Sequence, residues 1–372
     1  MAVTRFATND ALAVKQWSNR LAHEALKATE IAPLIGTGQD SIIQRKTELQ
    51  KQPGDQVTYG LRVNLTGDGV TEGTALEGNE ESLTTYSDAV KINELMHAVR
   101  VAGSGSIDSQ RIPFSMRAEA EMALRDWYAK RFSVSFFAHV CGIASSSSYT
   151  NDEYTVDVSK AVWNANNAIV APTATTRHLF STGSADETVN ADSSATFDLS
   201  HIDNCVELAK GAGSTIPIRP IMIGGKKTYV IYLHPYQVTS MRTSTSTGQW
   251  LDIQRAALQG GKDSGNPIFT GALGVYNNVV IREANDVCPG VHSSTNATQS
   301  STRRAVFLGA QAASIAFSKS GGPSSMKWVE EMFDYDRELG ISVQTNWGLK
   351  KCVFNSVDFG SIVVSTYAAA AT

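Results

Sequence analysis

The chain has no excess of basic residues: 32 Lys and Arg stand against 36 Asp and Glu, a formal charge of -4. That excludes a broadly cationic nucleic-acid binder, and any nucleic acid it encloses is not held by general charge neutralisation. Cysteine is scarce too. Cys141, Cys205, Cys288 and Cys352 are far apart and form no C-x-x-C pair, so they read as small buried apolar residues rather than a disulfide framework. No run approaches the ~20 apolar residues of a membrane helix. Met1 to Asp10 lacks a signal-peptide pattern, which predicts a soluble product made in the cytosol. The glycosylation-type triplets at Asn64 and Asn296 are therefore chance matches.

Catalytic patterns are missing as well. Gly224-Gly225-Lys226-Lys227-Thr228 resembles a phosphate loop, but the earlier glycine would fall on Pro220. Gly260-Gly261-Lys262 is followed by Asp263 where Ser or Thr is needed. Gly103-Ser104-Gly105-Ser106 has its glycines at the wrong offsets for a nucleophile elbow. The seven histidines have no partner at metal-ligand spacing and read as structural or surface groups. The acidic group Glu330, Glu331, Asp334, Asp336 and Glu338 reads as a solvated turn between strands rather than a cation or arginine site. Neither an enzyme nor a cofactor is expected.

What the chain does have is a long two-stranded arm from Gly54 to Val101. Val57, Tyr59, Leu61, Val63 and Leu65 alternate with Thr58, Gly60, Arg62 and Asn64, so one face of a strand meets a dry surface. The return holds Tyr86, Val90 and Ile92, then Leu95, His97, Val99 and Val101. Its apolar phase shifts by one residue, which predicts a bulge or kink near Asn93-Glu94. Between them, Thr66 to Thr85 forms a glycine-rich tip with Glu72, Glu77, Glu80 and Glu81, far longer than a usual hairpin loop of about 2–5 residues. A lone hairpin is marginal in water. A neighbouring copy of the chain would supply the missing surface, which points to assembly.

The rest reads as α+β, not as a repeating βαβ pattern. Asn9 caps an amphipathic helix with Val14, Trp17, Leu21, Ala25 and Ala28 on one side, ended by Pro33 and Gly36. Ile42 to Gln52 is a polar connector. Gly103 to Ser106 is a hinge before the longest helix, which ends at Gly142 with a buried stripe of Met116, Ala120, Ala123, Trp127, Val134, Phe137 and Cys141. Its aromatic residues spread around the surface, so it packs on more than one side. Ser145 to Ser200 is polar loop with short elements. Ser200 and Asp203 suggest a capping box for a helix to Lys210. Helices also start at Pro235 and span Trp250 to Leu258. Strands follow at Thr228–Leu233, Val279–Arg282, Ala305–Leu308, Ser314–Phe317, Met326–Glu330, Ile341–Thr345 and Lys351–Phe354. The length of 372 residues suits two domains or one elaborated one.

These pieces are similar, in order and spacing, to the major capsid proteins of N-four-like tailed bacteriophages. The likeness is carried by Leu76-Glu77-Gly78-Asn79-Glu80-Glu81, Val90 to Arg100, Leu124-Arg125-Asp126-Trp127, Tyr229 to Pro235, Asn266-Pro267-Ile268-Phe269, Ala305 to Ala312, and Asp336 through Lys351; residues 145–200 match least. The resemblance implies the Hong Kong ninety-seven type capsid fold. Residues 1–48 would be an N-terminal arm and 49–104 an extended loop. Residues 105–200 would be a peripheral domain with a spine helix, 201–300 an axial domain, and 301–372 a return to the peripheral domain. It implies a coat protein that assembles with itself as hexamers and pentamers into an icosahedral shell around double-stranded DNA. A separate scaffolding protein, a portal and a decoration protein are the expected partners, with no sequence-specific DNA binding and no membrane. Trp17, Tyr59, Leu61, Val63, Leu65, Glu80 and Glu81 are the expected inter-subunit contacts. A β-rich tail or adhesin-type binding protein and a hydrolase with an unrecognised site are the alternatives.

Overall fold

The computed structural model describes residues 31–50, 53–103, 107, 115–143, 147–151, 154–211, 216–223, 225–243, 273–319, 326–335 and 337–370. The predicted helices at residues 10–28 and 250–258 lie outside these. In chain order the strands before the long helix are β1 (Ile35–Gly36), β2 (Ile43–Lys46), β3 (Gln56–Arg62), β4 (Thr85–Lys91) and β5 (Asn93–Ala102). The long helix is α1 (Met116–Cys141). β6 (Ser148–Asn151), β7 (Tyr154–Asp157), β8 (His178–Phe180), α2 (Asp186–Ala191) and α3 (Leu199–Ala209) follow. Then come β9 (Ile221–Ile223), β10 (Lys226–Leu233), α4 (Pro235–Thr243), β11 (Gly274–Tyr276), β12 (Val279–Glu283) and β13 (Pro289–Val291). The chain closes with β14 (Thr298–Leu308), β15 (Ala313–Phe317), β16 (Lys327–Phe333), β17 (Glu338–Lys351), β18 (Val353–Phe354), β19 (Val357–Asp358) and β20 (Ser361–Tyr367).

Two sheets organise these strands. The first has the order β1-β2-β15-β17-β16, with β5 also paired to β17; the second has the order β11-β12-β10-β14-β20-β8, with β9 on β10 and β13 on β14. The long strand β17 is the axis of the first sheet, because β15, β16 and β5 all bond to it. Residues 301–372 divide between the two sheets. β15 to β17 lie in the first, whereas most of β14 and all of β20 form the middle of the second sheet. The apolar runs are alike in the two places, and only long-range pairing distinguishes them. The predicted polar connector after Ile42 is also corrected: Ile42 and Ile43 are buried and β2 pairs in parallel with β15.

Helix α1 joins the two sheets. Ser115 caps it by accepting from the Ala118 N–H, and Gly142 ends it in the left-handed region at φ 63°. Its first half lies on the first sheet: the Tyr128 hydroxyl donates to the carbonyls of Val343 (2.7 Å) and Leu95 (3.2 Å), and Trp127 stacks on His97. The expected stripe holds at Ala120, Val134, Phe137 and Cys141, while Ala123 is exposed and Leu124, Tyr128 and Phe132 are buried instead. From Phe132 onward every position is buried. No stripe exists there because the helix enters the space between the sheets and meets partners all round. Phe132 sits edge-on to Trp347 of the first sheet at 4.6 Å, and Phe137 sits edge-on to Tyr232 of the second at 5.4 Å.

At the far end of α1, Arg304 of β14 donates to the carbonyls of Cys141 and Gly142, each at 2.9 Å. A cation at a helix C-terminus meets the negative end of the backbone dipoles. The same guanidinium pairs with Asp186 of α2 at 2.7 Å, and both side chains are almost fully buried. Burial alone pushes the Asp186 carboxyl up. Arg304, His178 and hydrogen bonds from Ser365 and the Val291 N–H outweigh it and hold the group below its ordinary range.

Helix α3 is capped by Asp198, two residues before the Ser200 of the sequence reading. Asp198 accepts from the His201 N–H, and His201 Nδ1 accepts from the Asp198 N–H. Asp203 instead accepts from Tyr276 and Asn277. Asn277 and Asn278 form the turn between β11 and β12, both at positive φ. In the acidic group, Glu330 departs from a solvated turn. It is buried and accepts from Arg117 and from Trp328 Nε1 at 2.8 Å. Asp336 lies outside the described residues. All four cysteines are buried and free.

Removing one member of a buried ion pair leaves the other uncompensated, at a cost of about 3–5 kcal/mol. Arg304→Met should lower stability by that order in chemical denaturation of the unassembled subunit. Arg304→Met with Asp186→Asn should recover part of it, since no lone charge remains buried. The carboxyl is held low, so its contribution is present above the unfolded value of about 3.9 and is lost as pH falls through the folded value. The wild type should therefore lose stability in acid more steeply than the double variant.

Candidate assembly interface

Strands β3 and β4 form the root of the predicted arm, paired in register from Gln56↔Lys91 to Arg62↔Thr85. Odd residues of β3 and even residues of β4 share one face, since side chains alternate across a strand. That face is buried at the root and emerges step by step. Val57 and Val90 are buried with Leu49 and Ala316. Leu61, Tyr86 and Ile216 pack on Cys352, Phe354 and Phe359. Val63 is half-buried, and Leu65 is 63% exposed. Tyr59 and Leu61, expected to meet a neighbour, pack in part on their own subunit. Among the described residues, the outer end of the stripe at Leu65 is largely uncovered.

Between the two apolar steps sits a polar anchor. Asp88 projects inward from β4, and its carboxylate accepts from the Tyr59 hydroxyl (3.0 Å) and the Val353 N–H (3.1 Å) and pairs with Lys350. Ser314 bonds the Tyr59 oxygen at 2.9 Å, and Lys46 Nζ lies 4.4 Å above the Tyr59 ring. Burial, then the neighbouring Cys352 and Asp88, raise the phenol's pKa far above its ordinary value, so it stays a donor. Sequence reading missed Asp88. Its signal was a carboxylate at an inward position between Tyr86 and Val90, where an unpaired charge is costly.

The predicted irregularity of the returning strand falls at Ile92, between β4 and β5. At Ile92 the returning strand leaves β3 and enters the first sheet as β5, paired to β17 from Trp347↔Asn93 to Glu338↔Ala102. The one-residue change of phase is a change of sheet, so the free-standing hairpin ends at residue 91 rather than 101. At the crossing, the Asn167 side chain both accepts from the Lys91 N–H (2.9 Å) and donates to the Lys91 carbonyl (3.0 Å). Gly348 makes the crossing possible, because a Cβ there would lie 1.8 Å from the Lys91 oxygen.

Beyond Val63 the tip is exposed and shaped by its own carboxylates. Glu81 accepts from the N–H groups of Thr66 (2.9 Å) and Gly67 (2.7 Å), closing the neck of the loop. Those bonds lower its pKa below the ordinary value. Glu80 accepts from the Gly78 N–H at 2.7 Å. Leu76 and Leu83 stand about 60% exposed beside them. Trp17 lies outside the described residues.

A β-hairpin rooted in one sheet, a long helix spanning two sheets and an exposed apolar tip suit a shell subunit, and comparison with known proteins agrees. The sequence profile of the phage capsid protein family matches residues 5–370. The major capsid protein of Pseudomonas phage KPP25 is 29% identical over 403 residues, covering 99% of this chain and 98% of that protein. The capsid of Ralstonia phage GP4 has the same fold with a TM-score of 0.78 and 29% identity, over 100% of both chains. The capsid of cyanophage Pam1 shares the fold at a TM-score of 0.67 and 20% identity, again over both full lengths. The chain therefore belongs to the phage capsid protein family and is a coat protein with the α+β Hong Kong ninety-seven type fold.

Proposed function

We propose that the hairpin β3–β4 is the extended loop by which one coat subunit grips the next in rings of five and six that close into an icosahedral shell around double-stranded DNA. The observation that carries this is the burial gradient along one strand face, from fully buried Val90 at the root to Leu65 in solvent, with Leu76 and Leu83 exposed in the loop beyond it. Exposed leucines on a projecting loop are costly unless another surface covers them. Burying a Leu- or Val-sized side chain contributes about 1.5–3 kcal/mol, so Val63, Leu65 and Leu76 together supply several kcal/mol before ordering costs. In this reading the first sheet and α1 form the peripheral domain. The axial domain is 201–300 together with β14 and β20. A scaffolding protein, a portal and a decoration protein are the expected further partners, and synthesis takes place in the host cytoplasm.

Tyr59 and Leu61 are fold residues in this scheme, so the interface is best tested further out. Val63→Asp with Leu65→Asp should leave the subunit folded by circular dichroism and abolish particles in electron microscopy. Normal shells from that variant would refute the reading.

The neck of the tip should respond to acid. The Glu81 pKa is lowered in the folded loop, so the order it confers is present above the unfolded value of about 4.3 and fades as pH falls through the folded value. Backbone amide exchange at Thr66 and Gly67 should accelerate in that range, and Glu81→Gln should show fast exchange at neutral pH as well. Slow exchange in the variant would mean the carboxylate does not close the loop.

A further inference from the structure

The acidic tip has a counterpart elsewhere on the same chain. Between Leu65 and Tyr86 the sequence carries Asp68, Glu72, Glu77, Glu80 and Glu81 and no Lys or Arg. Glu80 and Glu81 are turned onto the loop's own backbone. That leaves Asp68, Glu72 and Glu77 as outward charges, the last two on either side of exposed Leu76. Among the described residues, the hydrogen bonds of residues 64–84 stay within the loop and its neck.

The chain has five adjacent basic pairs, at 45–46, 130–131, 226–227, 303–304 and 350–351. Four are engaged inside the subunit. Arg45 lies over Phe317 and Lys46 over Tyr59. Lys130 pairs with Asp286, and Arg131 lies over Trp163. Arg303 lies over Tyr236, and Arg304 pairs with Asp186. Lys350 pairs with Asp88, and Lys351 with Asp358.

Lys226 and Lys227 are different. They open β10 where it pairs with β9, both are exposed, and neither has an ion pair among the described residues. Lys227 stands directly across from exposed Met222, so the two share a face. The result is a small basic and apolar prong, complementary in charge and polarity to the acidic, leucine-bearing tip.

We propose that the tip of one subunit docks on the β9–β10 hairpin of the next, with Glu72 and Glu77 facing Lys226 and Lys227 and Leu76 against Met222. This rests on the reading that the hairpin crosses to a neighbour, and it names the surface that receives it. The occupant is a second copy of this chain, because every copy carries both patches at different places. Such a contact is head-to-tail, which is the kind that closes into rings. Complementary charge also sets register and speeds encounter, and salt screens it.

The test is reciprocal charge exchange in the full-length chain. Lys226→Glu with Lys227→Glu should cut particle yield at least tenfold and remove its salt dependence, with the subunit's circular dichroism and melting temperature unchanged. Glu72→Lys with Glu77→Lys should do the same. The fourfold variant, with both patches reversed, should recover yield to within a few-fold of wild type. Wild-type yield from either reversal, or no recovery in the fourfold variant, would overturn the proposal. A chain with residues 68–79 replaced by a short Gly-Ser turn separates the two levels. If it fails to assemble while the lysine reversals assemble normally, the loop crosses to a neighbour but docks elsewhere. If it assembles normally, docking and crossing both fall.

Discussion

The buried contact between Arg304 and the end of helix α1 fixes how the two halves of the subunit meet. One guanidinium satisfies two terminal carbonyls of the helix and a buried carboxylate of α2. None of these groups has water to fall back on, so each needs the others to remain in place. The helix extends from the first sheet, and the arginine belongs to the central strand of the second. Their relative position is thereby set by hydrogen-bond geometry at one point, and the apolar packing of Phe132, Phe137, Trp347 and Tyr232 fills the volume that this point defines.

The root of the hairpin follows the same logic on a smaller scale. Asp88, Tyr59 and Lys350 form a polar anchor flanked by two apolar steps. Such an anchor adds little net stability, because desolvation offsets much of the attraction. Its contribution is specificity. A purely apolar face would tolerate a slide of two residues along the strand, whereas a buried carboxylate has one place where its partners are met.

Local structure was largely legible in the sequence, and long-range pairing was not. The end of α1 at Gly142 and the start of α4 at Pro235 were readable because each depends on the conformational range of a single residue. The alternation in β3 gave the correct buried face but not the owner of the surface it meets, since a period-2 pattern carries no information about which chain lies opposite. The phase change at Asn93 was visible, and its cause was not. A bulge and a change of sheet leave the same mark on one strand, and only the pairing with β17 separates them. The division of the last 70 or so residues between two sheets was hidden for the same reason. Asp88 and Asn167 appeared as ordinary polar residues, because their importance comes from Lys350 and Lys91, distant from them in sequence.

Clamping the hairpin at Asp88 and Asn167 also makes it a lever. Measured from the Asn167 clamp at Lys91, the seven-residue strand β4 reaches about 23 Å at roughly 3.3 Å per residue. A rotation of about 10° at the clamp would then swing the outer end by about 4 Å, close to one residue's spacing on whatever it touches. If the hairpin grips a neighbour as proposed, the angular stiffness of a few buried hydrogen bonds at its root would set how far its outer end can follow that neighbour's surface.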